Sequence, residues 1–159
     1  MDACSVDNAF LCKHSMFGGL TDQQLVFIRP LLNEHTYPQG AMILQQGEPN
    51  ATVYFIVSGD VRVQKHSDDE SQGEREIATL HAGDSVGEME LIDIQSCAAS
   101  VVCLTEVHVI TLSNRDLYIL SHEHPAIYTM IIMNLARDIS RRLRSTDQLL
   151  AMVSKQTPH

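Results

Sequence analysis

The sequence predicts a mainly β domain, a double-stranded β-helix or jelly-roll barrel with short flanking helices, followed by one long C-terminal helix. Three observations carry that expectation. From His35 to Leu112 the apolar residues come in short runs separated by Gly-, Pro- and Asn-bearing turns, the spacing of closely packed strands. On either side of that region, Thr21 with Gln24 and Ser113 with Asp116 have the spacing of helix capping boxes. After Pro125, no Gly or Pro interrupts Ala126 to Thr157, a span of about 45 Å if helical throughout.

In chain order, residues 1–19 show no periodicity and end in Gly18-Gly19, so they read as an arm or a loose helix. Leu25, Ile28, Leu31 and Leu32 fall on one helical face, and Pro30 ends or kinks that helix. Pro38-Gln39-Gly40, Gln46-Gly47-Glu48-Pro49-Asn50 and Ser58-Gly59-Asp60 punctuate the strand region. Val53 to Val57, the turn at Ser58-Gly59-Asp60 and Val61 to Val63 read as a hairpin. His66 to Glu74 is a polar, acidic loop. Ile77 to Leu80 is a strand closed by the turn at Ala82-Gly83-Asp84. Gly87-Glu88 opens a short helix through Ile92, and a loop from Asp93 to Ser96 leads to Cys97. Strands then follow over Ala99 to Leu104 and Val107 to Leu112. This divides the chain into an arm (1–19), a β-roll with short helices (20–122) and a terminal helix (123–159).

Within that terminal helix Ile132, Leu135, Ile139, Leu143, Thr146, Leu150 and Val153 recur at spacings of three and four. That is a seam of nearly coiled-coil type. Its first half can pack on the barrel, while its second half projects too far for one small domain to cover. The same helix of a second subunit is the simplest partner, giving a homodimer. The alternative is a tail that frays in solvent past Thr146.

Composition narrows the function classes. With 159 residues, 44% of them hydrophobic, the chain is one domain long. A formal net charge of −9 opposes binding to nucleic acid or an acidic membrane surface. Any anionic ligand therefore needs a local positive site. No apolar run reaches membrane-spanning length, and Met1 to Lys13 lacks the plan of a signal peptide, so a cytoplasmic protein is expected. Cys4, Cys12, Cys97 and Cys103 lack metal-ligand spacing and read as free thiols. His14, His35, His66, His81 and His108 lie in different settings and form no nucleophile–base–orienter constellation, so neither an enzyme nor a cofactor is predicted.

The stretch from Leu80 to Val101 carries the chemistry. A turn, a glycine, one or two helical turns, a loop and small residues entering a strand let main-chain N–H groups converge on an anion. Gly83-Asp84, Gly87-Glu88, Met89, Leu91 and Ala98-Ala99-Ser100 resemble the phosphate-binding cassette of the cyclic-nucleotide-binding domain family. That cassette reads roughly Gly-Asp-Phe-Phe-Gly-Glu-Leu-Ala-Leu, a short loop, then Pro-Arg-Ala-Ala-Ser/Thr. Tyr54 to Gly59 resembles the family's Phe-x-Ile-x-x-Gly, and the resemblance runs from about Leu20 to Val153.

The resemblance implies a role for each matched residue. Glu88 would accept a hydrogen bond from a ribose 2′-hydroxyl; its other reading is a helix-start acid facing the macrodipole. Gly87, Met89, Ala98 and Ala99 would offer main-chain groups and close approach. Ser100 would offer a hydroxyl, or is only a small strand residue. Arg141-Arg142-Leu143-Arg144-Ser145-Thr146 resembles the base-capping segment of dimeric bacterial activators in the family, with Thr146 on the purine and Arg142 near the pocket. A solvated helix face is the other reading of those arginines. Asp147 stands where those proteins reach the partner's ligand with a serine.

One departure stands out: Cys97 replaces the arginine that pairs with the cyclic phosphate. Three readings of Cys97 are open: a degenerate pocket that has lost its ligand, an altered pocket that holds a cyclic nucleotide or another small anion without it, or a reactive thiol. The implied function is a non-enzymatic sensor that binds cAMP or cGMP weakly or in an altered pocket and signals through the last helix. The alternative is a degenerate fold acting in dimerisation or protein interaction. Activators of this family carry a winged helix-turn-helix after the long helix. None follows here before His159, so the chain is either a fragment or acts on another protein.

Overall fold

The short apolar runs form eight strands, and their turns carry the chain back and forth between two sheets. They are β1 (Asn33–Tyr37), β2 (Met42–Leu44), β3 (Thr52–Ser58), β4 (Val61–His66), β5 (Glu74–Leu80), β6 (Ser85–Val86), β7 (Ser100–Cys103) and β8 (Val107–Ser113). One antiparallel sheet has the order β1-β8-β3-β6 and the other β2-β7-β4-β5, the expected jelly-roll arrangement. The computed structural model describes residues 5–67 and 73–155. Cys4, the middle of the expected acidic loop (68–72) and the end of the expected terminal helix (156–159) lie outside the described residues.

The expected hairpin of Val53 to Val63 is not formed. β3 pairs with β8 and β6, whereas β4 pairs with β5 and β7 in the opposite sheet. The short link between them is a corner rather than a hairpin turn. Gly59 takes φ +90° there, and a Cβ at that position would lie 2.2 Å from the Glu106 carbonyl oxygen. Asp60 N–H donates to Thr105 Oγ1 at 3.0 Å and Leu104 N–H to Asp60 O at 2.9 Å, tying the corner to the β7–β8 link. Among the described residues β4 and β5 are the only consecutive strands that pair. A two-residue link fixes proximity along the chain, but which edge bonds to which is decided by burial.

That burial divides into two layers. Ile56, Val61, Val101, Val107 and Val109 fill the space between the sheets. Phe55, Ile110 and Leu112 point the other way, into a second layer built with the helices. β8 is thus buried on both faces, as its near-continuous apolar sequence requires.

The helices are α1 (Asn8–Lys13), α2 (Asp22–Ile28), α3 (Glu88–Asp93), α4 (Asn114–Glu123) and α5 (Pro125–Lys155). Both predicted capping boxes are made, Thr21 with Gln24 and Ser113 with Asp116. Pro30 falls in a 3-10 turn, Arg29–Leu31, that ends α2. The segment expected as an arm or a loose helix contains α1 and packs into the core. Leu11, Met16 and Phe17 are buried, and the Phe17 ring meets Phe55 edge-on with centroids 5.1 Å apart. Buried His14 lies against both rings, and its Nδ1 accepts the Met16 N–H at 3.2 Å. Asn134 of α5 donates to the Met16 and Gly18 carbonyls, each at 2.9 Å. Residues 1–19 lack periodicity because this anchor is made by isolated side chains rather than by one amphipathic face.

Along α5 burial gives way to exposure, with Leu135 the buried residue of the predicted seam. Ile127, Ile131 and Leu135 are buried, whereas Leu143, Leu149, Leu150, Met152 and Val153 are each exposed by 60% or more. No helix among the described residues is long and apolar enough to cross a membrane.

Truncating Phe17 tests whether the N-terminal segment belongs to the fold. Phe17→Ala should lower the unfolding free energy by about 3–5 kcal/mol, read as a lower urea midpoint. A detached arm would leave the midpoint unchanged.

Candidate ligand-binding site

The predicted cassette forms one wall of a small cavity. After β6 the chain turns through Gly87 at φ +84°; a Cβ there would lie 2.5 Å from Thr52 O and 2.8 Å from Asn50 Nδ2. Only glycine fits that close crossing, and it aims the start of α3 inward. Glu88 is therefore 3% exposed. Across the cavity comes Arg142, from the middle of α5. Its Nη1 donates to Glu88 Oε1 at 2.5 Å and its Nη2 to the Ser85 carbonyl at 2.6 Å. Asp138, one turn earlier, places Oδ2 3.1 Å from Nη2, close enough for ion pairing but without hydrogen-bond alignment.

The electrostatics are unbalanced. Glu88 Oε2 is buried with no hydrogen-bond partner. Burial pushes the Glu88 carboxyl pKa above its ordinary value; the Arg142 charge opposes that rise, while Asp138 and Glu90 add to it. Glu90, 9% exposed, points its carboxylate at the loop before β7 and accepts the Ala98 N–H at 3.3 Å. The cavity walls include Leu44, Val63, Leu80, Val86 and Val101, and its volume is about 110 Å³. Sites for drug-sized ligands occupy roughly 300–1,000 Å³, so with Arg142 in this position the cavity is largely shut. A wider surface groove of about 600 Å³ runs between Ser15 and Arg137, Arg141 and Arg144, but it includes no cassette residue.

Of the residues singled out in the sequence, Gly87, Glu88, Met89, Ala98, Ala99 and Arg142 line this cavity together. Cys97, Ser100 and Thr146 do not. Cys97 is buried with the inter-sheet core, its backbone bonded to Gly47 and Glu48. Burial pushes its thiol pKa up, and Glu90 and Glu48 add to that, opposite to what a reactive thiolate needs. Ser100 Oγ accepts the Gln46 N–H at 2.9 Å. Thr146 is exposed and donates to the Arg142 carbonyl one turn back. Sequence reasoning missed Glu90. Its signal was available, since an acid stands there at the position where the family pattern has an alanine. Asp138 was missed as well, although its spacing of four from Arg142 on a predicted helix pairs the two.

This architecture matches known proteins. The profile described as "Cyclic nucleotide-binding domain" matches residues 34–124. The chain belongs to that family. A curated relative, the cyclic AMP receptor protein of Thermus thermophilus, is 31% identical over 140 residues, covering 87% of this chain and 62% of the relative. This chain thus spans less than two thirds of that protein's length. A crystal structure of a cyclic nucleotide-binding domain from Methylobacillus flagellatus shares the fold, with TM-score 0.82, 23% identity, and coverage of 95% of this chain and 83% of that one. The regulatory subunit of a cAMP-independent protein kinase A from Trypanosoma brucei also matches, with TM-score 0.69 and 26% identity over 81% of this chain and 44% of that one. That structure is a triple mutant bound to cAMP in the A site, in which alanine replaces a glutamate and, further on, Arg-Ala replaces Thr-Val.

The raised Glu88 pKa gives a signed pH test. The native state holds this proton more tightly than the unfolded chain, so its contribution to stability falls as pH rises from the ordinary value of 4.5 through the raised one. Glu88→Gln keeps an acceptor for Arg142 and has no proton to lose. Urea unfolding should show the variant gaining on the parent across that window. A variant that instead loses ground to the parent as pH rises would mean the Arg142 charge outweighs burial.

Proposed function

We propose that this chain is a non-enzymatic sensor of the cyclic-nucleotide-binding class, with an altered pocket whose occupancy is read out through α5. The observation carrying this reading is the Arg142–Glu88 contact across the pocket mouth. A ligand hydroxyl that takes Glu88 must compete with the guanidinium, and a ligand larger than the cavity must displace it. Because Arg142 is rooted in α5, occupancy and helix position are then linked, and the ligand favours whichever helix position admits it. The exposed apolar half of α5 supplies an output surface. We assign it to a second copy of the chain, as the seam spacing and five exposed apolar side chains suggest, in the cytoplasm and without contact to nucleic acid.

cAMP or cGMP would enter this pocket weakly. No arginine stands at Cys97, and Glu90 occupies the Ala98 N–H expected for the phosphate. The trypanosome variant supports this reading. Its substituted positions are spaced seven apart and then one, as are Glu90, Cys97 and Ala98. A second reading, a degenerate fold kept for protein interaction, is favoured by the small volume of the cavity.

Calorimetry separates the two. The parent should bind cAMP and cGMP feebly, and Glu90→Ala combined with Cys97→Arg should tighten binding at least ten-fold. One charge-assisted bond contributes roughly 1.5–3 kcal/mol, and about 1.4 kcal/mol corresponds to a decade. The gain should be larger at low salt. A folded double variant with no gain would favour the interaction module.

The dimer is tested separately. Leu150→Glu with Val153→Glu sets like charges across a twofold pair, so sedimentation should give monomers for the variant and dimers for the parent. Dimers in both would remove this half of α5 as the interface.

A further inference from the structure

The middle of α5 carries more positive charge than its neighbours balance. Between residues 137 and 144 stand four arginines, Arg137, Arg141, Arg142 and Arg144, against a single acid, Asp138. The whole chain has 11 basic and 20 acidic residues, so this stretch reverses its charge locally. Asp138 is shared by Arg141 at 3.0 Å and Arg142 at 3.1 Å. Arg137 Nη1 donates to a neutral partner, Asn134 Oδ1, at 3.1 Å, and Arg144 has no side-chain partner among the described residues. Like charges three and four residues apart destabilise a helix. Arg137, Arg141 and Arg144 have that spacing, and they line one side of the surface groove of about 600 Å³.

That groove has the volume of a small-molecule site and shares no lining residue with the cassette cavity. Its other side is Ser15, at the start of a 3-10 turn that Asn134 ties to α5 through the Met16 and Gly18 carbonyls. The two sides are therefore fixed to each other. Ser15 and Ser140 add hydroxyl donors beside the guanidinium groups. Arg137 and Arg144 lie about 140–160° around α5 from Ile139 of the seam, so a second copy packed on the seam leaves the groove open. From Arg137 to Arg144 is about 10 Å along the helix axis, too long for one phosphate group and suited to a short chain of them. An extended acidic peptide turns alternate side chains to one face, about 7 Å apart, and brings fewer charges to the same length. The net charge of −9 repels long polyanions, whereas a compact anion stays within reach of the local arginines. We infer that this groove is a second ligand site, separate from the cassette cavity and independent of the sensor reading, that takes a compact oligophosphate, free or as the phosphate chain of a nucleotide.

The test is calorimetry of the full chain with inorganic tripolyphosphate, ATP and orthophosphate. Tripolyphosphate should bind at least ten-fold more tightly than orthophosphate, and added salt should weaken it. ATP ahead of tripolyphosphate makes a nucleotide the source of the phosphate chain, and the reverse order a free oligophosphate; both support the site. Arg137→Gln with Arg144→Gln leaves both Asp138 pairs in place and should weaken tripolyphosphate at least ten-fold. Lys65→Gln with Arg75→Gln removes the same charge from exposed positions on β4 and β5 and should change the affinity less than two-fold. Thermal midpoints establish that both variants are folded. Equal losses in the two variants, orthophosphate binding as tightly as tripolyphosphate, or no binding of tripolyphosphate would each overturn the site. Hexaglutamate binding more tightly than tripolyphosphate would also overturn it and make the groove a docking surface for an acidic peptide.

Discussion

The contact between Arg142 and Glu88 joins the two parts of this molecule that otherwise have separate logic, the β-roll and the long helix. Burying a carboxylate costs free energy that a single guanidinium only partly returns, and removing one partner of such a pair is far more damaging than replacing both. Such a pair is poor material for stability. It holds Glu88 in place only while α5 is docked, and it docks this part of α5 only while Glu88 is free to accept.

The surroundings keep that balance close. Glu88 Oε2 is unpartnered, Asp138 crowds the same guanidinium, and Glu90 adds a third carboxylate. Gly87 makes the arrangement possible by letting the chain cross Thr52 where no side chain would fit. The scaffold under it is rigid for ordinary reasons: β8 and β3 bury both faces, and His14, Phe17 and Asn134 pin the N-terminal segment to the base of α5. The fixed half of α5 therefore ends near Leu135, and the pocket contact lies on the half beyond it. The helix is thus anchored at one end, held by the pocket contact in its middle and exposed along its apolar tip.

At Glu90 and Cys97 the chain departs from the family's cassette pattern in charge while keeping its backbone path. The backbone path of the cassette is present, with the glycine, the short helix and the small residues before β7 in their places. What changes is which groups fill it: a buried thiol where a cation was expected, and a carboxylate bonded to the Ala98 N–H. Such substitutions leave the fold intact because they alter hydrogen-bond partners at the rim of the core, not its volume.

The sequence by itself determined the elements that local physics controls. Capping boxes at Thr21 and Ser113 placed helix starts because one side chain and one N–H three residues on suffice to make them. Gly, Pro and Asn marked the turns, and a run without Gly or Pro marked α5. The cassette was legible because its glycine and small residues answer to backbone geometry. The tertiary structure decided what depends on distant partners. It sent β3 and β4 to different sheets, since strand pairing follows burial of both faces rather than a two-residue link. It drew residues 8–17 into the core through single side chains that leave no periodic trace. It put Cys97, Ser100 and Thr146 outside the cavity and brought Glu90 to it beside the expected Arg142, because the direction of a side chain is set by the packing beneath it.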